Sequence, residues 1–175
     1  MAACSSGETR DRRSAVSVYL SVAPPDGFGK WGDAEWERWL KDHPWEAAER
    51  ICSRGDWAIF LYQLRLHAPK GKVGIEPLLE QLVNERPLTA QQTQDLRDAL
   101  DMARDELDQK PAGAMKSGNS NFASPEDLDA MIASARTRLG REPSLGDVWS
   151  EVFDQVRKVL ENAIAQKRGI YFGNI

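Results

Sequence analysis

Hydrophobic and polar positions along the chain change period several times. "AVSVYLSVA" (15–23) is short, β-branched and aromatic, which predicts a strand stopped by Pro24-Pro25. Asp33 then offers a cap for a helix carrying Trp36, Trp39 and Leu40 on one face, and a second helix is expected from Pro44 until Gly55 breaks the chain. "WAIFLYQLRLHA" (57–68) favours a strand by its β-branched and aromatic start, although Trp57, Phe60, Leu61 and Leu64 also have helical spacing. "PKGKVG" is a turn.

Beyond the turn the helical period dominates. Ile75, Leu78, Leu79, Leu82 and Val83 predict a helix over 75–84, and Thr89 with Gln92 forms a capping box for a long helix to about residue 109. "KPAGAMKSGNSNFA" (110–123) is a polar loop. Ser124-Pro125-Glu126-Asp127 starts another helix: cap, first-turn proline and two acids at the positive dipole end. Its inner stripe is Leu128, Ile132, Ala135 and Leu139. Ser144 and Asp147 open the last helix, with Val148, Val152, Val156, Val159, Leu160 and Ala163 on one side. Asp154 with Lys158 and Arg157 with Glu161 are expected to pair on the other. Gly169 ends it, and "IYFGNI" predicts a final edge strand. The sum is a helix-dominated α+β single domain with a small two- to three-stranded sheet over 14–175, after a flexible polar tail, 1–13.

The 175 residues suit one ordinary domain, which at this size buries roughly 70% of its unfolded surface. Net charge is −4 and the pI about 5.3, which argues against bulk attraction to nucleic acid or anionic membranes. Cys4 and Cys52 have no metal spacing and read as free thiols in a reducing compartment. The N-terminal residues have no apolar core of a signal peptide, and no run of apolar residues is long enough to span a membrane. A cytoplasmic protein is expected.

Candidate chemistry is sparse. Gly27, Gly29 and Gly32 spell G-x-G-x-x-G, but Pro24, Pro25 and Asp26 precede the first glycine and bulky Trp31 sits where backbone would approach a phosphate. A plain solvent loop is the expected reading. Trp36 and Trp39 beside Leu40 read as core. His43 and His67 have no metal-ligand partner, and a thiol–imidazole pair between His67 and Cys52 has no local support. No catalytic residue, cofactor or metal is expected.

The helix over 88–109 has the most ordered polar pattern. Leu96, Leu100, Ala103 and Leu107 form an apolar stripe; Asp98, Asp101, Asp105 and Asp108 fall on the opposite side, with Asp95 and Glu106 adding to the negative field. A solvated face is one reading of these carboxylates. A docking surface for a basic partner is the other.

The order of "VSVYLSVA", "GIEPLLEQLV", "DALDMARDEL", "SNFASPEDL" and "ENAIAQKRGIYF" resembles bacterial polymorphic-toxin immunity proteins, most nearly the immunity-protein family numbered seventy. Relative to that pattern, 124–146 adds a helix. The resemblance implies a non-enzymatic cytoplasmic protein that binds and neutralises a cognate toxin domain. An acidic face would suit a basic toxin such as a nuclease. Asp95, Asp98, Asp101, Asp105 and Asp108, with Asn119, Asn121 and Phe122 of the polar loop, are the expected partner-binding residues. The alternatives are a small-ligand or nucleotide-binding protein or enzyme using the Gly27–Gly32 loop, and a general adaptor.

Overall fold

The computed structural model describes residues 17–23, 32–42, 49–67, 75–84, 86–116 and 124–174. Strands β1 (Ser17–Val22), β2 (Glu49–Ser53) and β3 (Ile170–Asn174) form one antiparallel sheet in the order β2-β1-β3. The helices are α1 (Asp33–Asp42), α2 (Arg54–His67), α3 (Ile75–Val83), α4 (Ala90–Asp108), α5 (Pro125–Leu139), α6 (Leu145–Val148) and α7 (Ser150–Ala165). This is the expected helix-dominated α+β domain. Among the described residues, no helix is long and apolar enough to cross a membrane.

The first described strand takes the centre of the sheet, and the last one pairs with it from Val22↔Ile170 to Val18↔Asn174. Val18, Leu20 and Ile170 turn one sheet face into the helical core. α7 lies against all three strands and also against α4. Val152, Phe153, Val156, Val159, Leu160 and Ala163 fill those contacts from one apolar stripe, about 120° wide at 100° per residue. Phe60 of α2 is fully buried at the centre of an aromatic cluster, edge-on to Phe153 at 5.1 Å and tilted against Trp149 at 5.5 Å and Trp57 at 5.6 Å. Trp57 continues the cluster to Phe172 of β3 at 5.8 Å, so the rings tie the sheet to the helices.

Several expectations need correction. Residues 57–67 are helical, not a strand. Ser53 caps α2, with its Oγ accepting from the Asp56 N–H at 3.1 Å and donating to the Asp56 carboxylate at 2.7 Å. The helix then buries Trp57, Phe60 and Leu64, the spacing that competed with the strand-like composition. Gly55 lies inside the first turn of α2 and does not break the chain. Residues 49–53, expected in a helix from Pro44, are the edge strand β2; Pro44 itself lies outside the described residues. Asp33 is the first residue of α1, and the Glu35 carboxylate accepts from the Gly32 N–H at 2.8 Å. The capping box of Ser144 and Asp147 opens the short α6; α7 starts afresh after Trp149, which is buried and leaves helical geometry (φ −98, ψ 8). Leu139, expected inside, is 38% exposed. Asp154 and Lys158 pair not with each other but with Arg104 (2.8 Å) and Glu49 (2.6 Å), while Arg157 and Glu161 do pair at 2.8 Å.

Two glycines mark close approaches, Gly169 to backbone and Gly146 to a side chain. A Cβ on Gly169 would stand 1.7 Å from the Leu88 carbonyl oxygen. Two hydrogen bonds hold that crossing, from the Ala23 N–H to the Gly169 carbonyl (2.7 Å) and from the Leu88 N–H to the Ile170 carbonyl (2.8 Å). A Cβ on Gly146 would stand 1.8 Å from Asp108 Oδ1, so α6 sits against the end of α4. Gly169→Ala is expected to force Leu88 away from β3 and cost about 2 kcal/mol or more. A thermal melt should show a Tm lower by about 4–8 °C; an unchanged Tm would mean that the 86–89 segment yields freely.

Candidate functional site

α4 is built as its sequence suggests. Thr89 Oγ1 accepts from the Gln92 N–H at 3.2 Å and Gln92 Oε1 accepts from the Thr89 N–H at 3.0 Å, closing the capping box. Thr93, Leu96, Ala99, Leu100, Ala103 and Leu107 form the buried side. The buried Thr93 hydroxyl donates to the Thr89 carbonyl at 2.8 Å, so its polar atom is satisfied within the first turn.

The carboxylates opposite do not form one uniform stripe. Asp98, Asp105 and Asp108 are exposed, whereas Asp95 and Asp101 are half-buried. Asp95 accepts from Gln91 at 2.9 Å. Asp98 accepts from Arg97 at 2.7 Å and from Gln94 at 3.2 Å. Asp101 faces α7, 3.3 Å from Arg157. Asp108 accepts from the Ser144 hydroxyl at 3.3 Å beside Gly146. Asp105 and Glu106 have neither a hydrogen bond nor an ion pair among the described residues.

Three arginines near this helix are engaged within the fold. Arg97, Arg104 and Arg157 surround a small cleft between α4 and α7, floored by Phe153. Arg104 bonds Asp154 at 2.8 Å and lies over the Phe153 ring, 5.6 Å from its centroid. The Glu161 hydrogen bond, then the charges of Asp101 and Glu161, hold the Arg157 pKa above its usual value. What remains toward solvent is acidic: Asp98, Asp105 and Glu106 around Met102, which is 49% exposed. The last turn of α4 carries no basic residue. Carboxylates there oppose the negative end of the helix dipole, at a cost of tenths of a kcal/mol each.

Asn119, Asn121 and Phe122 lie outside the described residues, as do Gly27, Gly29, Trp31, His43 and Trp45. The first half of the polar loop is tied down. A 3₁₀ turn spans Ala112–Ala114, the Ala112 N–H donates to the Pro143 carbonyl at 3.0 Å, and the Leu145 N–H donates to the Lys110 carbonyl at 2.9 Å. The fully buried Gln63 of α2 clamps the Lys116 backbone through both ends of its amide. Sequence reasoning missed Gln63, since a lone glutamine in an apolar run carries no signal of its partner.

Other candidate groups separate in space. Cys52 precedes α2 and His67 ends it, so about 20 Å of helix lies between them and no thiol–imidazole pair forms. Burial, then the Asp56 charge, pushes the Cys52 thiol up to about 12. Burial, then the charges of Lys110 and Lys116, lowers the His67 pKa. Among the described residues, no His, Cys, Asp and Glu cluster could hold a metal ion. The Trp36 side chain lies outside what the structure describes; Trp39 is half-buried with Arg168 over its ring at 5.3 Å, and among the described residues the deeply buried tryptophans are Trp57 and Trp149.

Compared with known protein families, with curated proteins and with solved structures, the chain matches none.

A rise of the Cys52 pKa from 9.0 to about 12 leaves about a thousandth of the usual thiolate at pH 8. A folded Cys4→Ser chain is therefore expected to resist a thiol-modifying reagent at pH 8 and to react once denatured. Rapid modification of the native protein would show that β2 opens readily.

Proposed function

We propose that the protein is a binding protein without catalytic chemistry of its own, and that the outer face of α4 docks a basic protein partner. One observation carries this reading: among the described residues, Asp105 and Glu106 have no partner at the dipole-negative end of α4, while the arginines beside them are engaged elsewhere. A charge arrangement that opposes its own helix gains a rationale when a cation arrives from another molecule. Exposed Met102 between the carboxylates adds an apolar contact at the centre of the face.

The resemblance to polymorphic-toxin immunity proteins supports a specific form of this role. In that form the partner is a toxin domain acting in the cytoplasm, basic in the manner of a nuclease, and this chain neutralises it by occupying its surface. The product of the gene immediately upstream is the first candidate to test. It is expected to be toxic when expressed alone and harmless when co-expressed with this protein.

Surface charges act chiefly on association. Asp98→Lys with Asp105→Lys is expected to slow binding to that toxin about tenfold or more at low salt. The difference should shrink as the screening length falls to about 8 Å at physiological ionic strength. Surface-based kinetics at several salt concentrations measure it. An association rate untouched by the double reversal would place the docking surface elsewhere.

A further inference from the structure

The 110–116 segment is anchored differently at its two ends. Its Lys110 end is pinned to residues 143–145 by the Ala112–Pro143 and Leu145–Lys110 hydrogen bonds. At the Lys116 end, the polar tie to the rest of the described fold is Gln63 of α2. Gln63 Nε2 donates to the Lys116 carbonyl, and Oε1 accepts from the Lys116 N–H at 3.4 Å. Lys116 itself is exposed, while its neighbour Met115 is buried in the core. The clamp therefore holds an apolar side chain in place from its exposed end.

His67 lies one helical turn after Gln63, so both side chains share a face of α2. The ring is half-buried, but its Nε2 is closed to solvent and has no hydrogen-bond partner. The charges that act on the imidazole are Lys110 and Lys116, one from each end of the same segment, and no described carboxylate balances them. On α2 itself, Arg65 is engaged with Glu76 and Glu80 of α3, at 3.1 and 3.7 Å. A neutral ring is tolerated in that place. A protonated ring would be a third cation there, with an enclosed N–H that has nothing to bond. Enclosure and the two lysines hold the His67 pKa below its ordinary 6.5, against the last-turn dipole of α2, which by itself favours a cation.

We propose that Gln63 and His67 form an acid-released latch, in which protonation of His67 drives the Lys116 end of the 110–116 segment off α2. That end gives way because one amide ties it, whereas the Lys110 end stays bound to residues 143–145. Closing favours the neutral ring, so the latch is fully closed above the ordinary value of 6.5 and weakens as pH falls below it. The latch does not depend on what the α4 face docks.

Nuclear magnetic resonance of the full chain tests it. At about pH 7.5, through-space contacts between the Gln63 side-chain amide and Lys116 are expected. On acidification to about pH 5 they should fade with the same midpoint as the His67 ring signals, and that midpoint should lie below 6.5. His43 is the other histidine, so the ring signals lost in His67→Phe identify the His67 set. His67→Phe keeps a ring that cannot be protonated and should retain the contacts at about pH 5. Lys110→Gln with Lys116→Gln should move the His67 midpoint up toward 6.5. Contacts that persist in the parent at about pH 5, or that fade equally in His67→Phe, would overturn the proposal. So would a midpoint that ignores the loss of both lysines.

Discussion

α7 buries one apolar stripe against two partners at once. The stripe, about 120° wide at 100° per residue, meets the sheet formed by β1, β2 and β3 along the border that carries Val159 and meets α4 along the border that carries Phe153 and Leu160. The packing of the other elements depends on that double burial. Phe153 brings α7 to Phe60 of α2, and Trp57 carries the aromatic contact on to β3. With α7 as the shared wall, the rotation of α4 about its axis is fixed. Its leucines must face α7 and α2, and its arginines land at the seam beside Asp154 and Phe153. The acidic outer face of α4 is what remains after that seam has formed.

The sheet depends on a second constraint. Its central strand comes from one end of the chain and its partner β3 from the other, so the final turn must be threaded past residues 86–89. Gly169 supplies the space, and the Leu88–Ile170 hydrogen bond covers part of the outer edge of β3. A similar near-contact of Gly146 with Asp108 positions α6 against the end of α4. α5 is joined to this assembly by Leu128 and Ala135, which are buried, by Met131 and Ile132 packed against the core, and by the arginine bonds to residues 142–151.

Features with a local cause were legible in the sequence. The capping boxes at Thr89, Ser124 and Ser144 need two side chains three residues apart, and all three form. Leu96, Leu100, Ala103 and Leu107 define the inner side of α4 because helical periodicity alone sets it. Features with a tertiary cause were not legible. β2 is a strand because β1 offers it an edge, and only Ile51 within it is buried. α2 begins at a Ser53 cap hidden behind aromatic, β-branched composition. A helical projection shows that Asp101 and Asp105 leave the core, but not that Arg157 of α7 waits for one while no described residue pairs with the other. Trp149 was overlooked because it sits at the break between two helices, where neither period applies.

The outer end of α4 carries charge against its own helix dipole, and among the described residues no cation pairs with Asp105 or Glu106. Asp105 lies four residues after Asp101, three before Asp108 and near the C-terminal end of the dipole, so its carboxylate meets repulsion from each. The most direct measurement is the melting temperature of Asp105→Lys alone, tracked across ionic strength in the absence of any partner. The account predicts a Tm above that of the parent at low salt, with the gain fading as salt rises. A Tm equal to or below the parent at low salt would show that the carboxylate is already compensated within the fold, and that the α4 face holds no unmet demand for a basic partner.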